Sequence, residues 1–283
     1  MGARTGARIE VKKLRVSSRD FSHCPAAVRY FSIAVAVLML APVAVVVLYA
    51  FSADSYFSLP PTRFSWRWFE SFWSNEGFRS ALNNSLLISF VVSPITLIIA
   101  LPAAYALSRG TFAGRQALTA LLMSPIIVPG VVTGVAFLAL SYKTHIGPGF
   151  VAIVVSMICI TLPYALRALL ANMHGLRLDL EESARNLGAT HWQVFRMIVL
   201  PQLRPGLLAG GIFIFVETID NFTIASFLVT PTTTTLPVEA YYYLRDFDDP
   251  TVAAMSCVVF LISTLLVLAL DRLIGLEKAF TTA

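Results

Sequence analysis

The chain has 283 residues, of which 57% are hydrophobic and only 13% charged, against about 45–50% and about 25% in an ordinary soluble domain. That balance excludes a disordered chain, a nucleic-acid-binding domain and most soluble enzymes. The net charge of +5 is too small to mark a polyanion ligand, so the information lies in where the charges fall.

The apolar residues come in blocks. A spanning helix needs about 20 mainly apolar residues, because about 30 Å of hydrocarbon is crossed at about 1.5 Å per residue. Tyr30 to Phe51 carries no charge in 22 residues, and 29 uncharged residues separate Arg79 from Arg109. Another 27 separate Arg115 from Lys143, 21 separate His145 from Arg167, and at least 20 separate Asp249 from Asp271. The block from Pro205 to Thr230 is broken only by Glu217 and Asp220. Lipid offers backbone groups no partner, so each block must be helical. The blocks are too long, and alternate too little, for barrel strands. The expected fold is an all-α membrane protein with six spans at about residues 28–51, 81–107, 117–141, 149–170, 206–230 and 251–271. Together they make a transmembrane domain over 28–275, with a basic extension over 1–27 before it and a tail over 276–283 after it.

Sixteen of the 21 basic residues fall before span one, after spans two and four, and in the tail. The positive-inside rule therefore places both termini and the segment 171–205 in the cytoplasm. Span one exceeds the about 7–15 apolar residues of a signal peptide, so it is read as retained. Cys24, Cys159 and Cys257 form no disulfide framework. The four histidines are scattered without metal-ligand spacing, so no metal site is expected.

In chain order, Trp66, Trp68, Phe69, Phe72 and Trp73 in the first outer loop read as an amphipathic segment at the membrane surface. Pro125, Pro129, Gly130 and Gly134 interrupt span three, and Pro163 interrupts span four. The pairs Gly130/Gly134 and Gly206/Gly210 read as close-packing sites between helices, with a part in lining a path as the alternative.

The segment 171–205 is the long polar insertion on the inner side. Asp179 is read as an N-cap, with Glu181 and Glu182 in the first turn where they complement the helix dipole. Leu180, Ala184 and Leu187 are expected on one face. Gly188 suits the left-handed position that ends a helix. Thr190 and Gln193 form a capping box for a second helix, along which Trp192, Phe195 and Val199 are aligned. Pro201 is expected to stop that helix and Pro205 to open span five. Such a hairpin, with apolar residues exposed, suits a partner surface; packing under its own bundle is the alternative.

In span five, Glu217 and Asp220 lie three residues apart on one helix face. A carboxylate at bilayer depth costs about 2.5–3.5 kcal/mol on insertion scales, so the pair should face a partner, the bundle interior or a water-filled path. With Thr218 and Asn221 beside them, these residues are candidates for a path that attracts a cationic or amine-bearing solute. The alternative is a structural polar network. Tyr241, Tyr242 and Tyr243 read as an interfacial aromatic belt. The outer loop 231–251 reads as solvated.

One motif is specific. Glu182-Ser183-Ala184, three residues, Gly188, nine residues, Ile198, one residue, Leu200-Pro201 resembles the cytoplasmic motif of permease subunits in type I binding-protein-dependent ABC importers. A single position departs, Ser183 for the family's Ala. Ala81-Leu82-Asn83-Asn84-Ser85, Ser124-Pro125 through Pro129-Gly130, Asp220-Asn221-Phe222, Leu236-Pro237 and Asp249-Pro250 are similar to the spermidine/putrescine branch. That branch often has two adjacent Asp where this chain has Asp220-Asn221.

The resemblance implies the type I permease fold, a bacterial inner-membrane location, and contact of the coupling segment with an ABC ATPase. The coupling residues would be Leu180, Glu181, Glu182, Ser183, Ala184, Leu187, Gly188, Ala189, Ile198, Leu200 and Pro201. It also implies a second permease subunit, a paralogue rather than an identical copy, and a soluble substrate-binding protein. The chain has no G-x4-G-K-[ST] loop, so no cofactor is expected on it, and ATP and Mg would be used by the partner ATPase. The rival reading is an ion-coupled secondary transporter using Glu217 and Asp220.

Overall fold

The computed structural model describes residues 26–56 and 61–274. The expected basic extension over 1–27 falls almost wholly outside them, as does the tail. The chain divides into two units, Met1–Val45 and Val46–Ala283. Helix α1 (Ala26–Ala50) runs across that division, and its 23 residues Val28–Ala50 are apolar and long enough to cross a membrane.

Among its described residues the second unit consists of helices joined by turns and loops, with an isolated antiparallel bridge between Ser52 and Phe64. Helix α2 (Arg67–Ser74) follows. Trp68 and Phe72 are buried, Trp66 and Trp73 are exposed, and the Trp68 indole N–H donates to the Ser52 carbonyl at 2.7 Å. The amphipathic pattern expected of this loop is present.

Helix α3 (Glu76–Arg109) is the longest at 34 residues, about 51 Å at 1.5 Å per residue. Asn75 caps it by accepting from the Phe78 amide at 3.3 Å, and Glu76 and Arg109 complement the dipole at its two ends. Pro94 and Pro102 lie within it without ending it.

Span three is not straight. Helix α4 (Arg115–Met123) and a 3-10 turn over Ser124–Ile126 meet α5 (Gly130–Lys143) at 99°. Pro129 is extended, with ψ 132, and ends the helical conformation here, in keeping with the tendency of a residue preceding proline to avoid the helical region. The expected continuous span over 117–141 is thus a bent pair.

Helix α6 (Phe150–His174) is the most enclosed of the long apolar helices. It is followed by α7 (Leu178–Asn186) and α8 (His191–Val194). Next come a π-helical turn over Phe195–Val199, α9 (Leu200–Gln202) and α10 (Arg204–Ile219). Residues His191–Gln202 meet α10 at 66°. Span five, expected over 206–230, is helical only to Ile219. There the Asn221 carboxamide oxygen accepts from the Ile224 amide at 3.0 Å, a local turn that competes with helix and leads into the short α11 (Ala225–Leu228). Helix α12 (Leu236–Asp246) and α13 (Thr251–Ile274) complete the described chain. Four helices are long and apolar enough to cross a membrane, and six spans result if each bent pair counts as one.

The core lies where α3, α6 and α10 meet, with Ile88, Val92, Ala100, Ile153, Leu166 and Ile214 buried. Small residues set the spacing. A Cβ on Gly206 would stand 2.7 Å from Asn172 Cβ on α6, and one on Gly134 would stand 2.5 Å from the Phe227 ring. The expected packing role of both glycine pairs is therefore visible.

Candidate coupling helix and transport path

The chain enters α7 from the inner end of α6 and leaves it through a tight helix stop. The Gly188 amide donates to the Arg185 carbonyl at 2.9 Å, and the Ala189 amide to the Ala184 carbonyl at 3.0 Å. This is the paired bonding of a Schellman stop, with Gly188 left-handed at φ 90° as expected. Thr190 then begins α8 with the expected capping box. Its hydroxyl accepts from the Gln193 amide at 3.3 Å, and its own amide donates to the Gln193 side chain at 2.8 Å.

Two local readings need correction. Asp179 is not the N-cap: Arg177 holds that position without a side-chain bond. Asp179 lies inside the first turn and pairs with the Arg177 guanidinium, which holds its carboxyl below the ordinary carboxylate range. Pro201 does not stop the second helix. A proline ring clashes with the carbonyl four residues back, and the preceding π-turn relieves this by widening the helix. The Gln202 side chain donates to the Ile198 carbonyl at 2.8 Å, and the chain bends only at Leu203. Leu180, Ala184 and Leu187, at helical spacing, differ in exposure. Leu180 and Leu187 are exposed, whereas Ala184 is half-buried against the core.

The two adjacent glutamates diverge. Glu182 is exposed with Ser183 beside it. Glu181 is only 1% exposed, and its Oε1 accepts from Arg109 at the end of α3, at 3.0 Å from Nε and 2.7 Å from Nη2. Its Oε2 has an Arg185 nitrogen at 3.7 Å and no hydrogen bond. Sequence reasoning put Glu181 with the docking residues and missed Arg109. The only signal available was a basic residue closing one helix and an acidic one in the first turn of another. Ala189 and Ile198 also pack inward, Leu200 is half-buried and Pro201 is exposed. The Phe195 ring lies 5.2 Å from Tyr105 of α3 and is stacked by Trp192 at 5.7 Å. The exposed residues of the segment thus include Leu180, Glu182, Ser183, Leu187, Trp192 and Met197.

At the far end of α10, Glu217 is half-buried and Asp220 is exposed at the helix C-cap. Glu217 interacts with the Asn221 amide and lies within electrostatic reach of Tyr164 on α6. Asp220 opens instead into a lateral groove of about 710 Å³ between α10, α12 and α13, bordered by Leu236, Met255, Ser256, Phe260 and Ser263. Thr218 is buried and its hydroxyl donates to the Ile214 carbonyl at 2.7 Å, so that group is used up within the helix.

Outside, Tyr243 donates to Asp249 at 2.8 Å, while Tyr241 and Tyr242 are exposed. Burial pushes the Glu239 carboxyl upward. Asn84 donates to the Thr232 and Thr234 carbonyls at 3.2 and 3.0 Å, and the Ser85 hydroxyl accepts from the Leu236 amide at 2.8 Å. The first turns of α3 thereby hold the loop that leads into α12. Among the described residues no three His, Cys, Asp or Glu side chains come together to hold a metal ion.

Residues 93–275 match the family of binding-protein-dependent transport system inner membrane components. The chain belongs to this family. The match takes in the coupling segment, α10 and its carboxylates, and α13. The permease is 28% identical over 226 residues to the spermidine/putrescine transport system permease protein PotC of Haemophilus influenzae, covering 80% of this chain and 88% of that one. It is 27% identical over 228 residues to the putrescine transport system permease protein PotI of Escherichia coli, covering 78% and 81%. Its fold is that of a type I importer permease. A crystal structure of a bacterial ABC transporter that imports the acidic polysaccharide alginate superposes with a TM-score of 0.66 at 17% identity, over 88% of this chain and 94% of that one. The permease is a multi-pass membrane protein and a transport component, not an enzyme. Nothing in the match supports the ion-coupled rival.

Proposed function

We propose that this permease forms half of the path of an ATP-driven importer in a bacterial inner membrane, carrying polyamines or another small amine-bearing solute. Its partners are an ABC ATPase, a second permease chain, a paralogue rather than a copy, and a soluble substrate-binding protein. ATP and Mg are used by the ATPase, and this chain holds neither.

The observation that carries the ATP-driven reading is the two-faced α7. Glu181 and Ala184 bind it to its own bundle, while Leu180, Glu182, Ser183 and Leu187 are presented outward. An exposed apolar face on an ordered helix at the cytoplasmic end suits a protein partner. The substrate class is supported by the polyamine transport named for the two permeases above and by Asp220, an exposed carboxylate beside a groove. Glu217 and Asn221 stand behind it; Thr218 does not join them.

The test is putrescine uptake into vesicles bearing the assembled transporter. Uptake should require ATP, and Asp220→Asn should lower it far more than Glu239→Gln, which changes a carboxylate away from the groove. Uptake that proceeds without ATP, or equal small effects of the two substitutions, would overturn the proposal.

A further inference from the structure

Helix α3 is fastened at both ends by bonds that reach other parts of the chain. At the inner end Arg109 grips Glu181 of the coupling helix through two hydrogen bonds, with side-chain exposures of 16% and 2%. At the outer end Asn84 and Ser85 make three hydrogen bonds to the stretch Thr232–Leu236. That stretch leads into α12, whose Leu236 and Pro237 border the groove that Asp220 lines. Arg109 lies 24 positions beyond Ser85, a rise of about 36 Å at about 1.5 Å per residue, more than the about 30 Å of hydrocarbon.

The helix between them is continuous and packed along its length. Ala100 and Ala104 are fully buried, Thr96 meets Thr161 of α6 at 3.4 Å, and the Phe90 ring lies 5.2 Å from Phe215 of α10. Pro94 and Pro102 each remove a hydrogen bond but do not interrupt the helix. Neighbouring helices supply the support that lets proline persist in a span.

We infer that α3 is a connecting rod. It carries movement of the docking helix, through Arg109 and Glu181, to the outer mouth of the path, through Asn84 and Ser85. Chain connectivity alone would pass that movement to α6 and α10, the helices that flank α7 in sequence. The Arg109–Glu181 pair, with the Phe195–Tyr105 contact beside it, adds a non-covalent route through α3, which reaches the outer loop from the side opposite to the covalent path through α10. Glu181 Oε2, without a hydrogen bond and 3.7 Å from Arg185, gives the carboxylate a second guanidinium within its own helix. The grip on α3 can therefore be exchanged for one inside α7. Arg109, Glu181, Asn84 and Ser85 are positioning residues, since none need touch solute or nucleotide. The inference rests on the ATP-driven reading above.

The experiment uses the whole transporter, in which this chain has its three cysteines replaced and carries Thr232→Cys, whose side chain is exposed. The readout is the rate of labelling by a water-soluble maleimide, with and without ATP. If ATP changes neither labelling nor uptake in this parent, the ATP-driven reading fails, and the link is then overturned with it. If the parent responds, Glu181→Gln and Asn84→Ala should each abolish the ATP-dependent change while the ATPase stays bound and still hydrolyses ATP. The double variant should be no worse than either single one, because a rod cut at one end loses nothing more when cut at the other. The swap Arg109→Glu with Glu181→Arg should restore the response, the exposed Arg185 turning to solvent. Four results would each overturn the rod: a normal response in Glu181→Gln, additive losses in the double variant, no rescue by the swap, or loss of ATPase binding in Glu181→Gln. The last would make Glu181 part of the docking face.

Discussion

Gly188 allows the coupling segment to be perturbed without disturbing its packing. Its φ is 90°, and a Cβ built there would meet nothing within 4 Å. A substitution therefore brings no clash, and its whole cost is backbone strain, about 1–2 kcal/mol for an L-residue held left-handed. Escape to a right-handed conformation is no cheaper. It would break the Gly188-to-Arg185 and Ala189-to-Ala184 hydrogen bonds, worth about 0.5–1.5 kcal/mol each. The capped geometry should then fall about 5–30-fold relative to a frayed one. Asn, which visits the left-handed region more readily, should lose least, Ala more, and β-branched Val most. The assay measures ATP hydrolysed and solute accumulated in the same vesicles, with the amount of inserted permease checked by immunoblot. Solute moved per ATP should follow the order Gly, Asn, Ala, Val at constant insertion. A Val variant as well coupled as Asn would refute the reasoning, because it would mean that the left-handed stop is not used.

Two further predictions follow from the same geometry. Glu182→Lys reverses an exposed charge on the outward face of α7 and should weaken co-purification of the ATPase without lowering the amount of inserted permease; Glu182→Gln should be milder, and equal retention in both would remove Glu182 from the contact. Gly206→Ala should lower the thermal midpoint in detergent more than Gly210→Ala, because the first Cβ would meet Asn172 Cβ at 2.7 Å, which cannot swing away, whereas the second meets the flexible end of Leu97 at 3.3 Å. Overpacking of this kind costs about 1–3 kcal/mol, and equal shifts would count against the α6–α10 contact.

The spans, the helix stop at Gly188 and the capping box at Thr190 were legible in the sequence because each rests on a local rule: hydropathy, a glycine position, a spacing of three. The bends were half legible. Pro129 and Pro205 mark where regular hydrogen bonding must fail, yet the 99° and 66° angles depend on what packs on either side. The end of α10 at Ile219 was missed because Glu217 and Asp220 were weighed as one helical face with Asn221 as a polar neighbour, while the Asn221 side chain acts as a turn former by accepting from the Ile224 amide. The bonds from Asn84 and Ser85 to Thr232–Leu236 join residues about 150 positions apart, and no periodicity within either segment records them.

Glu181 and Glu182 show why a docking helix needs side chains as well as a period. Adjacent on the chain and identical in chemistry, they stand about 100° apart around α7, so one faces Arg109 and the other faces away. The buried pair is not explained by stability, since a well-packed apolar pair in its place would often be neutral or better. What an apolar pair lacks is direction. Two hydrogen bonds of 2.7 and 3.0 Å to one carboxylate oxygen fix the azimuth of α7 against the end of α3, and with it the azimuth at which Leu180, Glu182 and Leu187 meet a partner. If that is the role of the pair, Arg109→Lys, which keeps the charge but loses the fork of Nε and Nη2, should retain insertion and ATPase binding while lowering solute moved per ATP. Full coupling in Arg109→Lys would show that charge alone suffices and that the orientation of α7 is set elsewhere.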